Sequence, residues 1–388
     1  MNIKQKIRNW YLAYKDAQIT QYLKKGQYQL THSPERLKHV GTFDLTKEQK
    51  KSIDNFFLSN YGAKIDYTCH RTYTAFGGGK FDVAFLPEEL YIPEVERYMN
   101  MFHNYCDVLQ DKNITPFLSS YIGIKSPVTI FSCTKGLCCD SDFEILSKEQ
   151  LLKKLKSLSE FFCKPSVESG GGFGCMLVRP QGDNDSISGN TISAIINDLG
   201  DNYVIQKCIH CHDSILNIYP NSVNTFRVMT YRWKNEIKIA SVIMRIGVGG
   251  MLVDNASSGG IFCGINRDGT LFPFAINEYG KKFEFHPDTK VFFKDCKISH
   301  FEKVLQAALK AHKAIPQIGV ANWDFTLDED ADVILIETNL EFGSPWLFQM
   351  VNGCSVFGKD TAEILRWTNK IKHTPISERH KFAFGNNM

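Results

Sequence analysis

The sequence has no run of about 18 apolar residues, the length a membrane-crossing helix needs. Charges near the start are not followed by a long apolar core, so no secretory signal peptide is expected. Neither sign of charge dominates. Lys and Arg number 45 against 42 Asp and Glu, a net of +3, which gives no bias toward nucleic acid. Repeats and low-complexity segments are absent. So are two phosphate-binding signatures. No glycine loop ends in Gly-Lys-Ser/Thr ahead of a helix, which excludes a P-loop, and none fits the Rossmann fingerprint. No side chain stands out as a covalent nucleophile. What is present is globular: 388 residues, 43% apolar and 22% charged, enough for two or three lobes. Twelve cysteines without a secretion signal suggest free thiols in a reducing cytoplasm.

Helical spacing of Ile3, Ile7, Trp10, Tyr11 and Tyr14 predicts a helix over 1–20, interleaved with Lys4, Lys6 and Arg8. A helix packed on the body is the common case. A basic amphipathic helix lying on a membrane surface is the alternative. Thr46-Lys47-Glu48-Gln49 is a capping box opening a helix through Phe57. Residues 66–91, aromatic-rich around Gly77-Gly78-Gly79, read as short extended pieces. Pro93 suits the first turn of a helix running to about Leu109. After Asp111-Lys112, a short polar segment leads to a strand at 127–131. A second capping box, Ser147-Lys148-Glu149-Gln150, starts a helix.

Phe161–Pro165 reads as a strand ending in Lys164. Ser169-Gly170-Gly171-Gly172-Phe173-Gly174 then turns into a second strand at 175–178. Backbone N–H groups in such a loop can approach phosphates closely, because glycine has no Cβ. The plain alternative is a glycine hairpin. A helix over 190–199 leads to a strand at 203–209, and two long strands follow at 223–229 and 237–245. They carry Arg227 and Arg245, each of which needs an anionic ligand or a structural carboxylate. Asp254–Gly260 is a polar loop. Ser299-His300-Phe301-Glu302 caps a helix, and a last helix at 359–371 precedes a polar tail. Asn322–Thr326 and Val333–Asn339 read as a β-hairpin. Alternation puts Glu337 and Asn339 on one face, within reach of Asp324. Two carboxylates and an amide oxygen suit Mg²⁺, whereas the plain alternative is a solvated strand face.

Cys208-Ile209-His210-Cys211-His212 matches the covalent haem pattern. Haem of that type needs export, for which no signal is seen. A zinc site from Cys138, Cys139, Cys208 and Cys211 has the wrong spacing in its first pair.

The order of these features, from Asp111-Lys112 through Lys164, the glycine loop, Gln206-Lys207, the arginine strands and Asn255 to Asp324 and Glu337-x-Asn339, resembles the ATP-grasp superfamily over about 108–355. Asn224-Thr225-Phe226-Arg227, His286-Pro287-Asp288-Thr289 and Ile336-Glu337-Thr338-Asn339 resemble its sugar-transfer-associated group. The resemblance implies an α+β ATP-grasp fold with two α/β subdomains clasping ATP. An N-terminal lobe (1–110) would precede a lid subdomain (111–202), a large subdomain with the metal site (203–375) and a tail (376–388). Lys112 and Lys164 would hold ATP's phosphates under Gly170, Gly171 and Gly172. Gln206, Lys207 and Ile209 would line the adenine hinge, and His212 or Asp213 would meet the ribose. The group usually has glutamate where this chain has Lys207. Asp324, Glu337 and Asn339 would hold Mg²⁺, with Mn²⁺ as a substitute. Arg227 and Arg245 would face the transferred phosphoryl group, with Asn255 beside them. The implied activity is ligation of a small-molecule acid to an amine through an acyl-phosphate, with an amino sugar or glycan precursor of polysaccharide biosynthesis as acceptor. The alternatives are a small-molecule kinase and a nucleotide-binding protein without turnover. Asp324→Asn is expected to abolish turnover and spare the fold.

Overall fold

The computed structural model describes residues 3–77, 79–101, 103–167 and 171–387. Two antiparallel sheets organise it. The first has six strands: β1 (Thr129–Thr134), β2 (Leu137–Asp140), β3 (Ile145–Leu146), β4 (Phe161–Pro165), β5 (Met176–Val178) and, beyond a small hairpin of β6 (Pro180–Gln181) and β7 (Asn184–Asp185), β8 (Tyr203–Gln206). Their order is β3-β2-β1-β8-β4-β5. Helices Lys148–Lys156 and Ile192–Asp198 cover one face, packing Leu151, Leu155, Ile192 and Ile195 against Phe131, Cys163 and Ile205. The capping box at Ser147 forms in full, and so does the one at Thr46. Each satisfies backbone donors that the first helical turn would leave bare.

The second sheet has seven strands: β9 (Thr225–Trp233), β10 (Glu236–Ile246), β11 (Ile261–Ile265), β12 (Leu271–Ile276), β13 (Lys282–Phe283), β14 (Val320–Leu327) and β15 (Val333–Asn339). Their order is β13-β12-β11-β10-β9-β14-β15. Successive side chains on a strand face opposite ways. Phe226 and Val228 of β9 therefore pack with Val304, Ala308 and Ala311 of helix Phe301–Ala314. Met229, Tyr231 and Trp233 join a different core, built from the N-terminal region and the last helices. That core unites Ile53, Phe57, Tyr91 and Val95 with Trp346, Met350, Ile364 and Trp367.

Several local expectations are corrected. The first helix, α1 (Ile3–Thr31), runs longer than predicted, and its apolar stripe faces solvent. Residues Thr68–Phe76 form a helix rather than extended pieces. Cys69, Tyr73 and Phe76 fall at helical spacing and are buried, so packing overrides the aromatic β-preference. The helix expected from Pro93 to Leu109 is broken. Pro93 lies in a widened π-turn, Tyr91–Glu96, which aims Glu94 and Glu96 inward. The chain then breaks at Asn100, and a new helix runs His103–Gln110. Asn100 is buried and uses its whole amide. Its Oδ1 accepts from Gly319 N (2.8 Å) and Val320 N (2.9 Å), and its Nδ2 donates to Val320 O (2.8 Å) and Leu340 O (2.7 Å).

The polar segment after Lys112 contains a helix, Thr115–Ile122, closed by left-handed Gly123. His300, at positive φ, precedes helix Phe301–Ala314 with no side-chain cap, so no capping box forms there. Residues 376–385 are 3₁₀ turns packed on the body; Trp367 Nε1 donates to Phe382 O (2.7 Å). No helix among the described residues is long and apolar enough to cross a membrane.

Candidate active site between the two sheets

A cavity of about 1300 Å³ lies between the sheets. Lys164 of β4 and Gln206 of β8 reach it from one side, and Arg227, Arg245, Asp324, Glu337 and Asn339 from the other. Lys112, Gly171, Gly172, Lys207, Ile209 and Asn255 also line it. Asp213 and His212 do not. Strand β8 ends at Gln206, and His212 caps the short helix Asp213–Leu216, of which only Leu216 lines the cavity. Gly170 lies outside the described residues.

Strand register builds the inner wall. Asp324 lies opposite Glu337 across β14–β15 and opposite Arg227 across β14–β9. One row of charge therefore crosses three strands. Arg227 grips Asp324 with two bonds, Nε to Oδ1 (2.7 Å) and Nη2 to Oδ2 (2.6 Å). Arg245 Nη1 reaches the same Oδ2 (3.0 Å), and its Nη2 meets Asp254 (2.9 Å). Both arginines thus have structural carboxylates, one of the two readings their strand positions allowed. Burial pushes the Asp324 carboxyl upward, but Arg227 and Arg245 outweigh it and hold it well below the usual range.

Lys164 is buried, and that burial lowers its pKa, with Lys112 adding to the fall and Glu337 opposing it. Lys112 Nζ stands 3.7 Å from Glu337 Oε2. Asp254 was missed in the sequence. It is buried, and it also accepts from Thr225 N (2.9 Å) and Thr225 Oγ1 (2.6 Å). Its only sequence signal is an acidic residue beside Asn255. The glycine loop lies against residues 255–257. Ser257 Oγ donates to Gly171 O (2.9 Å). With its amide oxygen turned inward, Asn255 accepts from Arg245 Nη2 (2.8 Å) and Gly172 N (3.3 Å). Gly171 and Gly172 both have positive φ, and a Cβ on Gly172 would come within 2.6 Å of the end of the Asn255 amide. Any side chain there would push the loop off this wall.

Among the described residues, no group of three or more His, Cys, Asp and Glu is placed to hold a metal. Cys211 instead sits 3.5 Å from Thr326 Oγ1, and Cys138 is paired with Cys133 and Tyr203. The predicted Mg²⁺ set is two carboxylates and an amide, and the donors fit. All are hard oxygens on rigid strands. The ion pairs of Glu337, to Lys112 (3.7 Å) and Arg227 (4.0 Å), are long. Asn339 Nδ2 makes two long ones, to Asp324 (3.3 Å) and Glu337 (3.4 Å). Rotating that amide would present an oxygen instead.

At the cavity's outer edge, buried Glu96 accepts from Phe342 N (2.9 Å) and Gly343 N (2.7 Å), fixing a loop whose Phe342 lines the opening. Burial pushes this carboxyl up to about 8, against the pull of those two N–H groups. A raised carboxyl pKa means that the native state binds the proton more tightly than the unfolded chain. The contribution is complete below about pH 4.3, the ordinary glutamate value. It is lost as pH rises through about 8. We expect Glu96→Gln to lack this loss, and the difference in unfolding free energy between wild type and variant, measured across that window, checks it. A constant difference would contradict the assignment.

With the geometry in place, the comparison with known families is decisive: the model of sugar-transfer associated ATP-grasp proteins matches residues 94–364. The chain belongs to this family. Its fold is the α+β ATP-grasp fold, as the motif order implied. Similar solved structures include D-alanyl-alanine synthetase A from Vibrio cholerae, at 12% identity and TM-score 0.41, covering 70% of this chain and 65% of that one. The VanG D-Ala:D-Ser ligase from Enterococcus faecalis is 14% identical, with TM-score 0.40 and coverage of 68% and 62%. The L-amino acid ligase from Bacillus licheniformis is 14% identical, with TM-score 0.38 and coverage of 76% and 53%. The chain thus spans about half to two thirds of the length of these solved structures. No curated protein sequence matches it.

Proposed function

We propose that this chain is an ATP-dependent carboxylate–amine ligase. The observation that carries this reading is the row Glu337–Asp324–Arg227 facing Lys112 and Lys164 across one cavity, with the glycine loop beside them. Phosphoryl transfer asks a protein mainly to position groups and neutralise charge, and this arrangement supplies both. Lys112, Lys164 and the backbone N–H groups of Gly171 and Gly172 hold the phosphates. Gln206, Lys207 and Ile209 form the adenine end. Residues 111–202 act as the lid and residues 203–375 as the larger subdomain. Asp324, Glu337 and Asn339 would hold Mg²⁺, which when bound withdraws charge from the phosphate oxygens.

The substrate carboxylate attacks the γ-phosphorus, the bond to the bridging oxygen breaks, and ADP leaves with that electron pair. The amine then attacks the acyl-phosphate, and phosphate departs as the amide forms. Arg227 and Arg245 lie where charge develops, and Asn255 orients Arg245. The closed glycine loop keeps water from the acyl-phosphate. The acceptor is an amino sugar or glycan precursor of polysaccharide biosynthesis. The twelve free cysteines support a reducing, cytoplasmic setting. The test is ADP release that needs both an acid and an amine. AMP and pyrophosphate would contradict the acyl-phosphate route, and a phosphoester product would make the protein a kinase.

A further inference from the structure

The first half of α1 has no role in the cavity and is built differently from the second. From Asp16 onward the helix is tied down. Asp16 takes Arg97 (2.5 Å) and Arg379 (2.8 Å), Thr20 takes Arg97 (2.5 Å), and Lys24 meets Glu94 (2.5 Å). Before Asp16, Ile3, Ile7, Trp10, Tyr11 and Tyr14 stand in water. Ile3 is 76% exposed, Trp10 68% and Ile7 61%. At 3.6 residues per turn these five fall within an arc of about 100°, roughly opposite the side carrying Asp16 and Thr20. Trp10 and Tyr14 stack within the stripe, with ring centroids 5.8 Å apart.

The charges around the stripe are of one sign. Lys4, Arg8 and Lys15 border one edge and Lys6 the other, and no acidic residue occurs in the segment before Asp16. A second copy docked by this stripe would bring basic borders together without a carboxylate to answer them. An anionic bilayer answers them directly. Trp and Tyr favour the headgroup level, and Lys and Arg can bury their stems while keeping charge among the headgroups.

We propose that residues 3–15 of α1 dock the protein onto an anionic phospholipid surface. The apolar stripe enters the headgroup boundary, and the basic borders pair with lipid phosphates. The anchored second half holds the helix preformed, so docking costs little ordering. This inference rests on no part of the ligase reading.

The test is co-sedimentation of the full chain with vesicles of phosphatidylglycerol and phosphatidylethanolamine, compared with phosphatidylcholine alone. Each basic side chain near an anionic surface adds about fivefold to partitioning. We expect at least about tenfold stronger binding to the anionic vesicles, falling as salt rises. Ile7→Glu/Trp10→Glu should abolish binding with Tm unchanged, because both side chains are exposed. Lys4→Gln/Lys6→Gln/Arg8→Gln should weaken it about fivefold per charge removed. Equal binding to both vesicle types, or binding that survives the glutamate pair, overturns the proposal. So does the absence of vesicle binding together with a dimer that dissociates in the Ile7→Glu/Trp10→Glu variant.

Discussion

Asp324→Asn will destabilise the protein by about 3–5 kcal/mol, the usual cost of leaving a buried charge without its partner. The sequence alone suggests that this change would spare the fold; the structure says otherwise. Asp324 is buried and is held by Arg227 through two bonds and by Arg245 through a third. Asparagine keeps the shape but removes the charge that Arg227 depends on, while Arg245 retains Asp254. Denaturant unfolding of wild type and variant measures the loss. Adding Arg227→Met to the variant should recover part of it, because the stranded charge goes too. A variant as stable as wild type would mean that the arginines find other partners. The depressed Asp324 pKa gives a second handle. Its stabilising contribution is present above the ordinary carboxyl range and is lost as pH falls toward its lowered value. Acid unfolding of the variant should lack that component.

Glu337→Gln should separate chemistry from stability. Glu337 is partly exposed, and its ionic contacts are long, so the fold should lose less than about 1 kcal/mol, as for other loosely paired ions. Under the ligase reading, turnover should fall by about 10²- to 10³-fold, as when a group facing developing charge is removed. The Mg²⁺ concentration for half-maximal rate should rise as well. ADP release as a function of Mg²⁺ measures both. Unchanged turnover with an unchanged Mg²⁺ dependence would remove Glu337 from the metal set.

Residue patterns revealed the hairpin, the lysine at the end of β4 and both capping boxes, because each rests on short-range rules. Alternation on β15 aligned Glu337 with Asn339, and pairing across one turn did the rest. What the sequence hid depends on partners far along the chain. Asp254 gains meaning only when Arg245 and Thr225 arrive beside it. Two glutamates only two positions apart, Glu94 and Glu96, both face inward because a π-turn around Pro93 shifts their phase, and helical periodicity assumes no such shift. The ribose contact at Asp213 is implied only by the resemblance; strand β8 ends at Gln206, and Asp213 opens a short helix without lining the cavity. Thr68–Phe76 looked extended because its aromatics favour strands, yet they are buried at helical spacing against residues from near the other end.

The shared core of the N-terminal region has a consequence for synthesis. Ile53, Phe57, Tyr91 and Val95 find their partners in Trp346, Met350, Ile364 and Trp367. From residue 99 to residue 346 is a gap of roughly 250 positions, which a ribosome covers in tens of seconds at about 5–20 residues per second. Throughout that interval the first hundred residues lack the closing helices of their core, and only strand residues such as Met229, Tyr231, Trp233 and Val320 reach it as they emerge. A chaperone that shields aromatic surface should hold this segment longest, and chains stalled before residue 346 should be the most prone to aggregate.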